Sequence, residues 1–87
     1  MERDDQKFIQ LLDETYKWPA IYAFKFIVPS GEGEALVRLM PKAEKVESRL
    51  SAEGKYTAYT FHCAMGSGRE VLSIYSKVKS IPGLFSL

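Results

Sequence analysis

Lys55-Tyr56-Thr57-Ala58-Tyr59-Thr60-Phe61-His62-Cys63-Ala64-Met65 alternates along its whole length. Thr57, Tyr59, Phe61, Cys63 and Met65 fall on one side of an extended chain. Tyr56, Ala58, Thr60, His62 and Ala64 fall on the other. Successive side chains of a strand point to opposite faces, and aromatic and β-branched residues suit a pleated surface. Residues 55–65 therefore read as a strand with one face for a core and one of mixed character.

Just upstream, Ser51-Ala52-Glu53-Gly54 is a turn, with Gly54 free to take positive φ. Before it, residues 43–50 read as a strand with Val46, Ser48 and Leu50 on one side and Lys45, Glu47 and Arg49 on the other. Such charge suits a sheet edge, where it discourages pairing with other chains. Downstream, Ser67 followed by Glu70 is a capping-box pattern, and Val71, Ile74, Tyr75 and Val78 recur at helical spacing. Pro82-Gly83 turns the chain into a short last strand, residues 84–87.

The first half mirrors this. Tyr22, Phe24, Phe26 and Val28 alternate with Ile21, Ala23, Lys25 and Ile27, a strand over residues 20–28. Pro29-Ser30-Gly31-Glu32-Gly33 breaks it, and Ser30 is placed to cap a short helix carrying Leu36, Leu39 and Met40 on one face. Glu32 and Glu34 suit its first turn, and Pro41 ends it. Phe8, Leu11 and Leu12 predict a separate amphipathic helix before Pro19.

The order is helix, then β-α-β-β-α-β. This predicts an α+β, ferredoxin-like βαββαβ sandwich: an antiparallel sheet of order 4-1-3-2, with two helices on one face and a short N-terminal helix. The first and third strands, central in that order, are the most apolar, which agrees with the assignment. At 87 residues a single domain is expected, with 1–18 as a helical extension and 19–87 as the domain.

Composition narrows the function. Net charge is +1, with acids and bases intermixed, so no nucleic-acid partner is expected on charge grounds. The single Cys63 permits no internal disulfide, and the N-terminal residues lack the apolar run of a secretory signal. The apolar stretch 21–28 is short and interrupted by Lys25, too little to cross a membrane. A cytoplasmic protein is the expectation.

Ser51-Ala52-Glu53-Gly54-Lys55-Tyr56-Thr57, running into the alternating strand, resembles the hairpin of the YbeD-like family, and Ile74-Tyr75 through Ile81-Pro82-Gly83 is similar to its ending. The likeness spans about residues 21–87. It implies a small bacterial protein of unknown function with an ACT-like, ferredoxin-like fold and no established reaction. Ligand-binding ACT domains commonly use the loop after the first strand, at a subunit interface. By that resemblance Ser30, Gly31 and Gly33 would shape a ligand loop. The helix that follows is shorter here than in the family.

No catalytic constellation stands out. His62 and Cys63 are adjacent, but neighbours on a strand face apart, so Cys63 is expected in the core and His62 on the other face. Two such residues cannot supply a tetrahedral zinc site, Asp4 and Asp5 read as solvated charge, and no metal or cofactor is expected. Gly66, Ser67, Gly68 and Arg69 could hold an anion at a helix start, or simply cap the helix.

The mixed sheet face carries the most information. Ile21, Ala23, Lys25 and Ile27 lie beside Tyr56, Ala58, Thr60 and His62, and an uncovered apolar face marks an interaction surface. The N-terminal helix could cover it, a second copy could pack there as a homodimer, or single-stranded RNA could stack on Tyr56 beside Lys25 and His62. The missing RNA-binding signature and the near-neutral charge rank RNA last. The expectation is a non-catalytic regulatory or protein-interaction module with an unidentified partner; the alternative is a small-molecule sensor of the ACT type.

Overall fold

Ten residues of β1 (Ala20–Pro29) pair antiparallel with ten of β3 (Tyr56–Met65), from Ala20 opposite Met65 to Pro29 opposite Tyr56. Both strands are built from the alternating residues that sequence singled out. In the computed structural model, which describes residues 3–87, they form the centre of a four-stranded sheet. β2 (Lys45–Leu50) flanks β3, and β4 (Phe85–Ser86) flanks β1. The order is β2-β3-β1-β4, which counted from the opposite edge reads 4-1-3-2.

The remaining elements are α1 (Arg3–Thr15), a 3₁₀ turn (Ser30–Glu32), α2 (Gly33–Leu39) and α3 (Gly68–Val78). Phe24, Phe26, Val28, Phe61 and Cys63, all from the inner faces of β1 and β3, are almost completely buried with Leu36 of α2 and Val71 and Val78 of α3. Each such side chain contributes roughly 1.5–3 kcal/mol by leaving water. Among the described residues no helix is long and apolar enough to cross a membrane.

The structure departs from four expectations. Ser30 does not cap a helix. The chain passes from Pro29 through the 3₁₀ turn, and the Ser30 hydroxyl instead donates to the Gly54 carbonyl at 2.7 Å and lies 2.9 Å from the Thr57 hydroxyl. A hydroxyl able to reach a second strand gains more there than at a helix start whose first residues are 3₁₀. The strand expected over 43–50 begins at Lys45, and Val46 and Leu50 stay more than half exposed although they share the inner face. α2 has seven residues, about 10 Å of helix, too short to roof the β2 edge.

The other two concern α1. Its buried stripe is Ile9 and Leu12, with Phe8 set edge-on against Tyr75 at 5.9 Å, whereas Leu11 faces solvent. The helix also docks against α3, on the helical side of the molecule, and does not cover the open sheet face. A Cβ at Gly68 would lie 2.8 Å from an Asp13 carboxylate oxygen, 2.9 Å from the Ile9 carbonyl and 3.1 Å from Leu12 Cβ. Only glycine lets the two helices approach so closely. The Trp18–Pro19 peptide bond that follows is cis.

Candidate functional site

Strand register arranges the open face in rows. Phe85, Ile27, Ala58 and Arg49 form one row across the four strands. Lys25, Thr60 and Glu47 form the next, with Leu87 bonded beside Lys25 through its N–H to the Lys25 carbonyl at 2.9 Å. Ala23, His62 and Lys45 form the third, and Ile21 and Ala64 the fourth. All the open-face residues anticipated from sequence therefore lie together: Ile21, Ala23, Lys25, Ile27, Tyr56 and His62.

Apolar groups stand at both ends of the face, Ile27, Tyr56 and Phe85 at one and Ile21 at the other, with charge between them. Ile21 is 48% exposed, Tyr56 43%, Phe85 63% and Leu87 72%, high values for such large apolar groups. Sequence reasoning missed Phe85 and Leu87. Their own alternation in the last strand, continued into the register of β1, was the signal. It also missed Glu47, whose carboxylate accepts from or pairs with His62 Nε2 at 2.9 Å. That hydrogen bond, then the nearby Lys45 charge, holds the Glu47 carboxyl below its ordinary value.

His62 and Cys63 lie on opposite sides of the sheet: Cys63 is fully buried, and burial pushes its thiol pKa up. Among the described residues no three His, Cys, Asp or Glu side chains converge on a point where a metal could sit.

The residues of the expected ligand loop scatter in role. Ser30 ties the end of β1 to the β2–β3 hairpin, and a Cβ at Gly33 would overlap the Tyr59 hydroxyl beneath it. Gly31 alone faces open space. The start of α3 is likewise occupied. Asp13 accepts from the Gly68 N–H at 2.9 Å, Ser67 from Glu70 at 3.1 Å, and Glu70 from Gly66 at 3.2 Å. Two carboxylates thus stand where an anion would bind.

A cleft of about 380 Å³ opens at the other edge of the sheet, lined by Phe8, Tyr22, Leu72, Tyr75, Ser86 and Leu87. On its wall the Tyr22 and Tyr75 hydroxyls lie 3.2 Å apart. Burial, and then this hydrogen bond, push the Tyr75 phenol pKa up. Nothing in the sequence pattern pointed to the cleft, because it needs α1 in its docked position.

The family model for a protein of unknown function (DUF493) matches residues 13–85, from the end of α1 into β4. No match is found among curated proteins or solved structures. The matched span takes in β1 to β3 with α2 and α3 and reaches the first residue of β4, and the YbeD-like proteins fall within this group. With most of its length so matched, the chain belongs to the DUF493 family of proteins of unknown function.

Proposed function

We propose that this chain is a non-catalytic interaction module of ferredoxin-like, ACT-like type, and that the open face of its sheet binds a second copy of itself. The observation carrying this reading is that α1 packs on the helical side, leaving Ile21, Tyr56, Phe85 and Leu87 exposed on the sheet and Ile27 partly so. Apolar groups of this size gain by leaving water.

Charge supports a partner identical to the chain itself. Lys25 and Glu47 lie in one row on either side of Thr60. With a two-fold axis running along β3, Lys25 of each copy meets Glu47 of the other, the reciprocal pattern of an isologous interface. The strand order and the two helices of the βαββαβ unit support the ferredoxin-like assignment.

Sedimentation velocity at micromolar concentration tests the pairing. The parent chain sediments as a dimer, and Ala58→Glu, which sets like charges against each other on the axis, sediments as a monomer. Lys25→Glu weakens the dimer, and adding Glu47→Lys in the same chain restores it. A parent that stays strictly monomeric, or a charge exchange that fails to restore pairing, defeats the proposal.

A further inference from the structure

β1 has ten residues, but β4 pairs with it only at Phe26 and Ile27, and Leu87 extends the contact to Lys25. Two hydrogen bonds fix which way the β1 backbone points. Ser30 N–H donates to the Lys55 carbonyl across the β3 side, and Leu87 N–H donates to the Lys25 carbonyl across the β4 side. Main-chain groups of an antiparallel strand alternate between neighbours. Even-numbered residues of β1 therefore address β3, and Ile21, Ala23, Lys25 and Ile27 address the β4 side. Among the described residues no strand pairs with Ala23 or Ile21 on that side. Their donors and acceptors form a free edge running from Ala20 to Phe24, roughly 16 Å at about 3.3 Å per residue.

The cleft walled by Phe8, Leu72 and Tyr75 lies along this same edge, with Tyr22 as the β1 residue that lines it. A strand laid beside Ala20–Phe24 would exchange main-chain bonds with Ile21 and Ala23. Its residue opposite Tyr22 would send its side chain to the helical side, into the cleft. Its residue opposite Ala23 would point to the open face, diagonal to Lys25 and within reach of its ammonium group.

We propose that this edge binds an extended peptide as an added strand, one whose large apolar residue fills the cleft and whose adjoining residue is acidic. Backbone bonds give such a complex its affinity, and alternate side-chain pockets give it selectivity. Charge complementarity with Lys25 sets the acidic preference. A second copy of this chain fits the edge less well, since its own Leu84–Leu87 segment would travel alongside its β1.

The test uses N-acetylated pentapeptides X-Z-Thr-Val-Thr, which stop short of Leu87 and carry fluorescein at the C-terminal end, with X Asp or Lys and Z Phe, Leu or Ser, titrated by fluorescence polarisation. Peptides with X Asp and Z Phe or Leu bind, and Ser at Z weakens binding about tenfold or more, the scale of one buried apolar side chain. N-methylation of the X residue and of the Thr after Z abolishes binding, because these amides face β1. On the protein, Ala23→Pro removes an outward-facing N–H without touching the β3 ladder and also abolishes it. Hydrogen exchange of the Ile21 and Ala23 amides slows in the complex. Failure of every peptide to bind, binding indifferent to N-methylation, or unchanged exchange at both amides overturns the proposal. Should Ala23→Pro not fold, the N-methylated peptides on the parent chain decide alone.

Discussion

Asp13 does more than its place on an exposed helix face suggests. One carboxylate oxygen accepts from the Trp18 indole at 2.8 Å and from the first N–H of α3 at 2.9 Å, so it fastens the chain after α1 and satisfies an otherwise orphaned helix donor. Asp13→Ala should lower stability by about 1–2 kcal/mol, typical of a lost cap, while Asp13→Asn, which keeps an acceptor, should lose less. Thermal unfolding of the two variants checks this. Glu47 offers a second single-residue test. Its folded pKa is depressed from 4.5, chiefly by the His62 hydrogen bond, so its contribution is complete above that value and fades as pH falls through the lowered one. In His62→Ala a side-chain NMR titration should move the Glu47 midpoint back upward; an unmoved midpoint would assign the shift to Lys45 instead.

Among elements, the strands were the most legible. Alternation in residues 20–28 and 55–65 placed Phe24, Phe26, Phe61 and Cys63 in the core and put the anticipated open-face residues together, since a period of two leaves no freedom once one face is buried. Helix placement was less so. The apolar stripe of α1 says that the helix is covered, not by what. Its seat on α3 depends on Gly68, which sequence read as a possible anion cradle. Gly68→Ala should cost about 1–3 kcal/mol, since the added methyl meets the Ile9 carbonyl and Leu12 as well as a movable carboxylate. The unfolding midpoint should drop by about 4–8 °C per kcal/mol in a domain of this size. Ser30 escaped because its true partners, Gly54 and Thr57, are more than twenty residues away and no local pattern reports them.

At the scale of the whole molecule, the open sheet face and the Ala20–Phe24 edge of β1 both lack a partner among the described residues, and they adjoin at Lys25. If copies pair through the face, folding and association are linked, and the midpoint of thermal unfolding should rise with protein concentration. The same series on Ala58→Glu should be flat. A concentration-independent parent would leave the face uncovered in solution. The open-face candidates of β1 and β3 could be read from alternation alone, whereas Phe85 and Leu87 required knowing that the last strand lies beside β1 and in which register.

The seating of α1 on α3 also bears on the order in which the chain matures. The Asp13–Gly68 bond joins residues 55 positions apart, and Phe8 finds Tyr75 across a still longer span. Closing so large a loop is entropically costly until the intervening sheet has formed. α1 precedes α3 in the chain, so during synthesis Phe8, Ile9 and Leu12 emerge from the ribosome well before their binding partners exist. For that interval the helix is an exposed apolar segment of the kind that chaperones shield or neighbouring nascent chains capture.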